Sequence, residues 1–227
     1  MKNTIETYLN SLSEDILTLS IECRGITVLP DLTRFKNLKE LYCSDNKLTS
    51  LPTTLPKTLE ILYCSKNKLT SLPDLTRFKN LKELYCSINK LTYLGTLPQS
   101  LEKLHCSNNK LTSLPDLTRI KNLKELNCSN NQLNSLPTLP QNLKELYCFD
   151  NKLTYLSTLP ENILYLYYPN NPICNILDCD NNSLIKVKQN IKILNNFRHL
   201  YYSLQFRAVR ILNAGFNDKK NIHRFTH

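Results

Sequence analysis

The sequence predicts an α/β repeat fold: a solenoid with a concave parallel sheet, extended or short-helical convex segments, and a helical cap at each end. Three observations carry this. An Asn recurs at Asn46, Asn67, Asn89, Asn109, Asn131, Asn151 and Asn171, in steps of 20 to 22 residues. Each Asn closes a run in which apolar and polar residues alternate, as in Leu41, Tyr42, Cys43 and Ser44, which is the period of a half-buried strand. A single copy, such as LKELYCSDNKLTSLP at 38–52, cannot bury its own apolar side, so the copies must stack.

Residues 1–15 read as the N-terminal cap, a short amphipathic helix with Ile5, Tyr8, Leu9 and Leu12 at helical spacing behind Asn3 or Thr4 as cap. A solenoid needs such a cap because its first coil otherwise exposes core and unpaired strand. Residues 16–177 hold eight units, the first of them degenerate, with Ile21 in the place of the later Cys and Arg24 in that of the Asn. Within each full unit the Leu and Cys of the strand point inward, and the residues corresponding to Glu40, Tyr42 and Ser44 face solvent. The Asn both donates and accepts, which suits it to backbone groups buried at the turn. Two kinds of return segment follow. PDLTRFKNL at 73–81 and PDLTRIKNL at 115–123 have room for a helical turn that places Leu75 and Phe78, or Leu117 and Ile120, on the core. GTLPQSL, PTLPQNL and STLPENI carry a central Pro that disfavours regular helix, so extended segments are expected there. Residues 178–227 read as a basic, mainly helical C-terminal cap and tail. Ser183 would cap a helix with Leu184, Val187, Ile191, Leu194, Tyr201 and Leu204 on one face and a break at Asn195 and Asn196, and 214–227 lacks periodicity.

Charge and cysteine usage narrow the function classes. Of the net +10, residues 1–183 contribute only +2, with 20 basic and 18 acidic residues, while 184–227 carries 9 basic and 1 acidic. Attraction to an anionic partner therefore belongs at the C-terminus. Six of the nine Cys (Cys43, Cys64, Cys86, Cys106, Cys128 and Cys148) hold one place in the repeat, which reads as packing rather than as a disulfide or zinc framework. With no signal segment or span of 18 apolar residues in view, reduced thiols and a cytoplasmic location are expected. Three Gly leave no phosphate-cradling loop, and His105, His199, His223 and His227 form no metal or nucleophile motif. No catalytic, cofactor or metal residues are assigned.

The repeated residues spell LxxLxLxxNxLxxLP with Cys at the third Leu, and so resemble the leucine-rich repeat family over roughly two thirds of the chain. The compact copies, such as LPTLPQNLKELYCFDNKLTYL, are similar to those of bacterial type III effectors. The longer DLTRFKNLKELYC form, in a chain rich in Lys, Asn, Ile and Tyr, resembles leucine-rich repeat proteins of giant amoebal viruses of the mimivirus kind. The resemblance implies a curved solenoid that binds proteins on its concave sheet, and, for a viral protein, host or viral targets in the host cytoplasm. Some effector relatives add a large ubiquitin-ligase domain with a catalytic Cys in a CxD motif. Only about 50 residues follow the repeats here, and Cys179-Asp180 lacks that spacing.

The expected concave column runs Tyr42, Tyr63, Tyr85, His105, Asn127, Tyr147 and Tyr167, with Glu40, Glu83, Glu125 and Glu145 on one side and Ser44 to Ser129, then Phe149, on the other. Tyr combines contact area with a polar tip, which suits a recognition surface. Cross-strand stacking copied by duplication accounts for the same column without any partner. The places where the pattern breaks, Ile88, His105, Asn127 and Phe149, are not explained by duplication. Lys47, Lys68, Lys90, Lys110 and Lys152 form a solvated edge. The alternative surface is the tail, where Lys186, Lys188, Lys192, Arg207, Arg210, Lys219, Lys220 and Arg224 accompany aromatics. Such a mixture serves nucleic acid or an anionic membrane, or simply a cap with its charges in water.

Overall fold

The computed structural model describes residues 2–177 and 184–222. Ser183, Cys179 and Arg224 fall outside them, and for Arg207, Arg210, Lys219 and Lys220 only the helical backbone is described. The element order is α1 (Lys2–Asn10), β1 (Thr18–Ser20), β2 (Glu40–Tyr42), β3 (Ile61–Tyr63), β4 (Glu83–Tyr85), β5 (Lys103–His105), β6 (Glu125–Asn127), β7 (Glu145–Tyr147), β8 (Tyr165–Tyr167) and α2 (Leu184–Ile222). The strands form one parallel sheet in chain order, each three residues long and in register with the next, so that Leu41 pairs with Leu62 and Tyr42 with Tyr63. This is the stacked solenoid that the spacing predicts.

The core is a single stack running from Ile5 in α1 to Ile191 in α2. Its inner wall is the strand Leu column together with Cys43, Cys64, Cys86, Cys106, Cys128 and Cys148, all fully buried and, with exposed Cys23, free thiols. Cys174 departs from the expectation of reduced thiols throughout. It is disulfide-bonded. Short paired spacing proved too narrow a criterion, because a bridge needs proximity in space rather than a motif.

The buried asparagines join the coils. Asn131 Oδ1 accepts the Leu111 N–H of the preceding coil at 3.0 Å, while Nδ2 lies 3.1 Å from each of the Cys106, Cys128 and Ser129 carbonyls. Asn67, three coils earlier, and Asn151, one coil later, repeat the pattern. Before each of these Asn the chain passes through a left-handed residue, from Asp45 (φ 54°) to Asn170 (φ 55°).

The return segments follow their two lengths. At 73–81 the Asp74 carboxylate accepts the Thr76 N–H at 3.0 Å and caps a 3-10 turn, Leu75–Arg77, with Leu75 and Phe78 buried. At 115–123 the same Asp116 and Thr118 bonds form without a helical turn, and Leu117 and Ile120 reach the core all the same. The shorter returns contain no helix. Between the two longer segments the short one leaves a convex groove lined by Lys79, Gln99, Asp116 and Arg119.

The ends differ from expectation in detail. Helix α1 starts at Lys2, so Asn3 and Thr4 lie inside it rather than capping it, and Leu12 packs from beyond its end. Arg34 instead closes its C-terminus by donating to the Leu9 carbonyl, where a cation suits the helix dipole. Arg24, in the place of the Asn, stacks over Tyr8 at 4.1 Å. Helix α2 is unbroken at Asn195 and Asn196 and carries its helical backbone to Ile222, through most of the stretch read as aperiodic. Asn195 is not a breaker because its side chain donates to the Leu156 carbonyl at 3.2 Å. Tyr201 and Leu204 do not join the cap face and are more than half exposed, since the last coil is narrower than the helix is long.

Replacing Asn131 with Ala strands the buried Leu111 N–H and takes one donor from each of three carbonyls that keep Asn109, Asn151 and Asn108 as donors, and should lower stability by about 2 kcal/mol in urea unfolding, whereas exposed Gln132→Ala should change little. Burial pushes the Cys43, Cys86 and Cys128 thiols up to about 12. The native state therefore holds protons that the unfolded chain releases near pH 9, so the contribution of these thiols to stability is constant below that point and falls as pH rises toward 12. Iodoacetamide at neutral pH should modify Cys23 and reach the six column thiols only on unfolding, a difference that peptide mapping would read.

Candidate functional site

The parallel register that satisfies the backbone also lines up side chains on the concave face. One column reads Thr18, Glu40, Ile61, Glu83, Lys103, Glu125, Glu145, Tyr165; the next reads Ser20, Tyr42, Tyr63, Tyr85, His105, Asn127, Tyr147, Tyr167. Tyr42, Tyr63 and Tyr85 form a stacked ladder with centroids 4.8 and 4.0 Å apart, and His105 ends it edge-on to Tyr85 at 4.7 Å. A second aromatic group follows at the C-terminal side, with Tyr147 against Tyr165 at 5.1 Å and Phe149 against Tyr167 at 5.2 Å.

Between the two groups lies a polar seam. His105 Nε2 sits 2.7 Å from Glu125 Oε1, and the Asn127 side-chain Oδ1 accepts the Ser129 N–H at 3.2 Å. The rule-breaking residues His105 and Asn127 thus divide the face into two aromatic patches, and Phe149 enlarges the second. Ile88 is different. It is 47% exposed and its φ is 56°, in a column otherwise occupied by Cys, Asp, Lys and Asn. A β-branched residue there is strained, whereas Asn tolerates the conformation.

The phenols are anchored from below. Tyr42, Tyr85 and Tyr147 donate to Glu40, Glu83 and Glu145 at 3.2, 2.9 and 3.1 Å. Burial and the adjacent carboxylates raise all three phenol pKa values, so they remain donors at neutral pH. The anchored rings have given up part of their rotamer entropy before any partner arrives. Lys103, which interrupts the Glu column, pairs with Glu83 at 3.1 Å. Beside that column runs an alternating ladder, in which Glu60 bridges Lys39 at 3.0 Å and Lys82 at 2.7 Å, while Lys124 meets Glu102 at 2.5 Å. These pairs are largely exposed and hold the rim's side chains in place more than they stabilise the fold.

Sequence reasoning put too much of the Ser column in solvent. Ser107 and Ser129 are buried and Ser44 is half-buried; Ser107 donates from its N–H and hydroxyl to Ser87 Oγ at 3.1 and 3.0 Å. The column is part of the packing because the chain turns inward just beyond each strand. Tyr165, absent from the expected columns, occupies the Glu place of the last unit and is 46% exposed. Aligning the eighth unit by register would have found it. Tyr63 and Glu83 are half-buried and Tyr167 exposed on the same face. Lys186 and Lys192 are exposed on α2, while Lys188 is tied to the Glu161 carbonyl at 2.9 Å. Among the described residues no three His, Cys, Asp or Glu side chains converge in a way that would hold a metal ion.

An in-register parallel sheet, a buried Asn ladder and a concave face of repeated columns define a leucine-rich repeat solenoid, and the chain belongs to the leucine-rich repeat family. The family model "Leucine Rich repeats (2 copies)" matches residues 57–99 and 99–141, and "Leucine Rich Repeat" matches 37–57. The leucine-rich repeat domain of a Shigella effector is 32% identical with a TM-score of 0.60, over 74% of this chain and 73% of that one. YopM, a leucine-rich effector protein from Yersinia pestis, is 34% identical with a TM-score of 0.66 over 70% of this chain. A leucine-rich repeat protein of Leptospira interrogans is 26% identical with a TM-score of 0.54 over 75% of this chain. The chain spans 44% of the Yersinia protein and 58% of the Leptospira protein. No curated protein matches the sequence.

Replacing Ile88 with Asn relieves the left-handed strain and should stabilise the protein by about 1 kcal/mol, seen as a higher urea midpoint with an unchanged slope.

Proposed function

We propose that the chain is a non-catalytic protein-binding module that takes its partner on the concave face. The observation that carries this reading is the pair of aromatic patches, Tyr42, Tyr63 and Tyr85 at one end and Tyr147, Phe149, Tyr165 and Tyr167 at the other, on one continuous surface. Leucine-rich repeat proteins generally mediate protein contacts, and the Shigella and Yersinia relatives are described as effectors. Carboxylates at Glu40, Glu83, Glu125 and Glu145 beside the rings favour a partner segment that combines apolar with basic side chains. Ile88 would add an apolar contact at the rim.

The setting proposed is cytoplasmic, with which the reduced thiol column accords and the disulfide at Cys174 does not. The viral setting suggested by the DLTRFKNLKELYC form draws nothing from the comparisons, whose named members are bacterial. A separate contact through basic α2 is compatible with this reading, because its outward face does not overlap the sheet.

Changing Tyr63, Tyr85 and Tyr147 to Ala together should lower capture of the partner from host-cell lysate by roughly 30-fold or more while the circular dichroism spectrum is retained. Undiminished capture by the triple variant would place the contact away from the concave face.

A further inference from the structure

Helix α2 has two apolar faces, and the solenoid uses only one. Val187 and Ile191 are buried against the last coil, with Leu184 and Leu194 packed beside them. Lys188 and Asn195 donate to the Glu161 and Leu156 carbonyls at 2.9 and 3.2 Å, and the Arg198 guanidinium lies 3.9 Å over Tyr155. The other stripe is Ile193, Phe197, Leu200, Tyr201 and Leu204, 51%, 66%, 52%, 60% and 54% exposed. Its steps of four, three, one and three residues keep it on one side of the helix, away from the seated face. A stripe of large apolar groups over three turns is more than scattered surface hydrophobicity.

We propose that this outward stripe lays α2 onto an anionic lipid bilayer, with the apolar side chains at the acyl boundary and the basic residues at the headgroups. Charge complementarity selects this occupant, since residues 184–227 hold nine basic residues and one acidic. The helix lies on the membrane rather than spanning it, for no helix among the described residues is long and apolar enough to cross. Nucleic acid suits the charge and can stack on Phe197 and Tyr201, but three of the five stripe residues, Ile193, Leu200 and Leu204, are aliphatic, which favours an acyl boundary over bases. Pairing with a second copy would set two strongly basic helices side by side. The solenoid is left with its concave face free, so the inference goes beyond the proposed function and does not depend on it.

The chain has no Trp, so Phe197→Trp in the full protein places a single reporter on the stripe. With vesicles of phosphatidylcholine containing about one third phosphatidylserine, the indole emission should shift to the blue and the protein should co-sediment at least about tenfold more strongly than with phosphatidylcholine alone. The quadruple change of Ile193, Phe197, Leu200 and Leu204 to Ser should lose that binding about tenfold or more with the melting temperature retained, since all four are exposed. The proposal is overturned if the reporter does not shift with anionic vesicles, or if the quadruple variant binds them as well as the parent. It is equally overturned if the reporter responds to single-stranded RNA or duplex DNA instead, or if the stripe proves to hold a dimer that the quadruple variant dissolves.

Discussion

The structure depends on the buried asparagine of each coil. A strand of three residues satisfies little of its own backbone, and a solenoid turn shuts carbonyls and N–H groups away from water where no helix or second sheet can reach them. In the repeating pattern, one side chain per coil supplies an acceptor for the coil before it and donors to both coils. This fixes the coils in register, and the register fixes everything else. The Cys column is buried as a wall, the Leu columns close behind it, and the polar positions of each strand become continuous stripes on the concave side.

Those stripes explain why the same feature reads as packing or as recognition. The Tyr ladder at β2, β3 and β4 stabilises the sheet by stacking, as any cross-strand pair does. Two of its phenols, Tyr42 and Tyr85, are also held by carboxylates, and all three rings are half open to solvent, which is the condition of a prepared binding surface. The polar seam at His105, Glu125 and Asn127 keeps the ladder from extending along the whole face. Two aromatic patches with acidic neighbours are more selective than one uniform column, because a partner must match both the patches and the interval between them.

The C-terminal end follows a different rule. The helix covers the last coil through a few residues near its start, where carbonyls of the return segments receive Lys188 and Asn195. Just beyond Arg198 the described apolar residues, Leu200, Tyr201, Tyr202 and Leu204, are open to solvent. A cap longer than the surface it covers leaves a second surface whose use is independent of the repeats.

Much of the fold was legible in the sequence because a repeat restates its constraint. Seven Asn at near-constant spacing define the coil, and the alternation around Leu41 and Cys43 defines the inward face. The candidate columns follow from the same alignment, including the breaks at Ile88, His105, Asn127 and Phe149. What the sequence could not settle depends on distances between coils and at the ends. The His105 to Glu125 bridge, the loss of Ser107 and Ser129 to the interior, the bonded Cys174, the unbroken α2 and the division of that helix into a seated and an open face were decided by the tertiary structure. Periodicity reports which side of an element is apolar, but only packing decides which apolar side finds a neighbour.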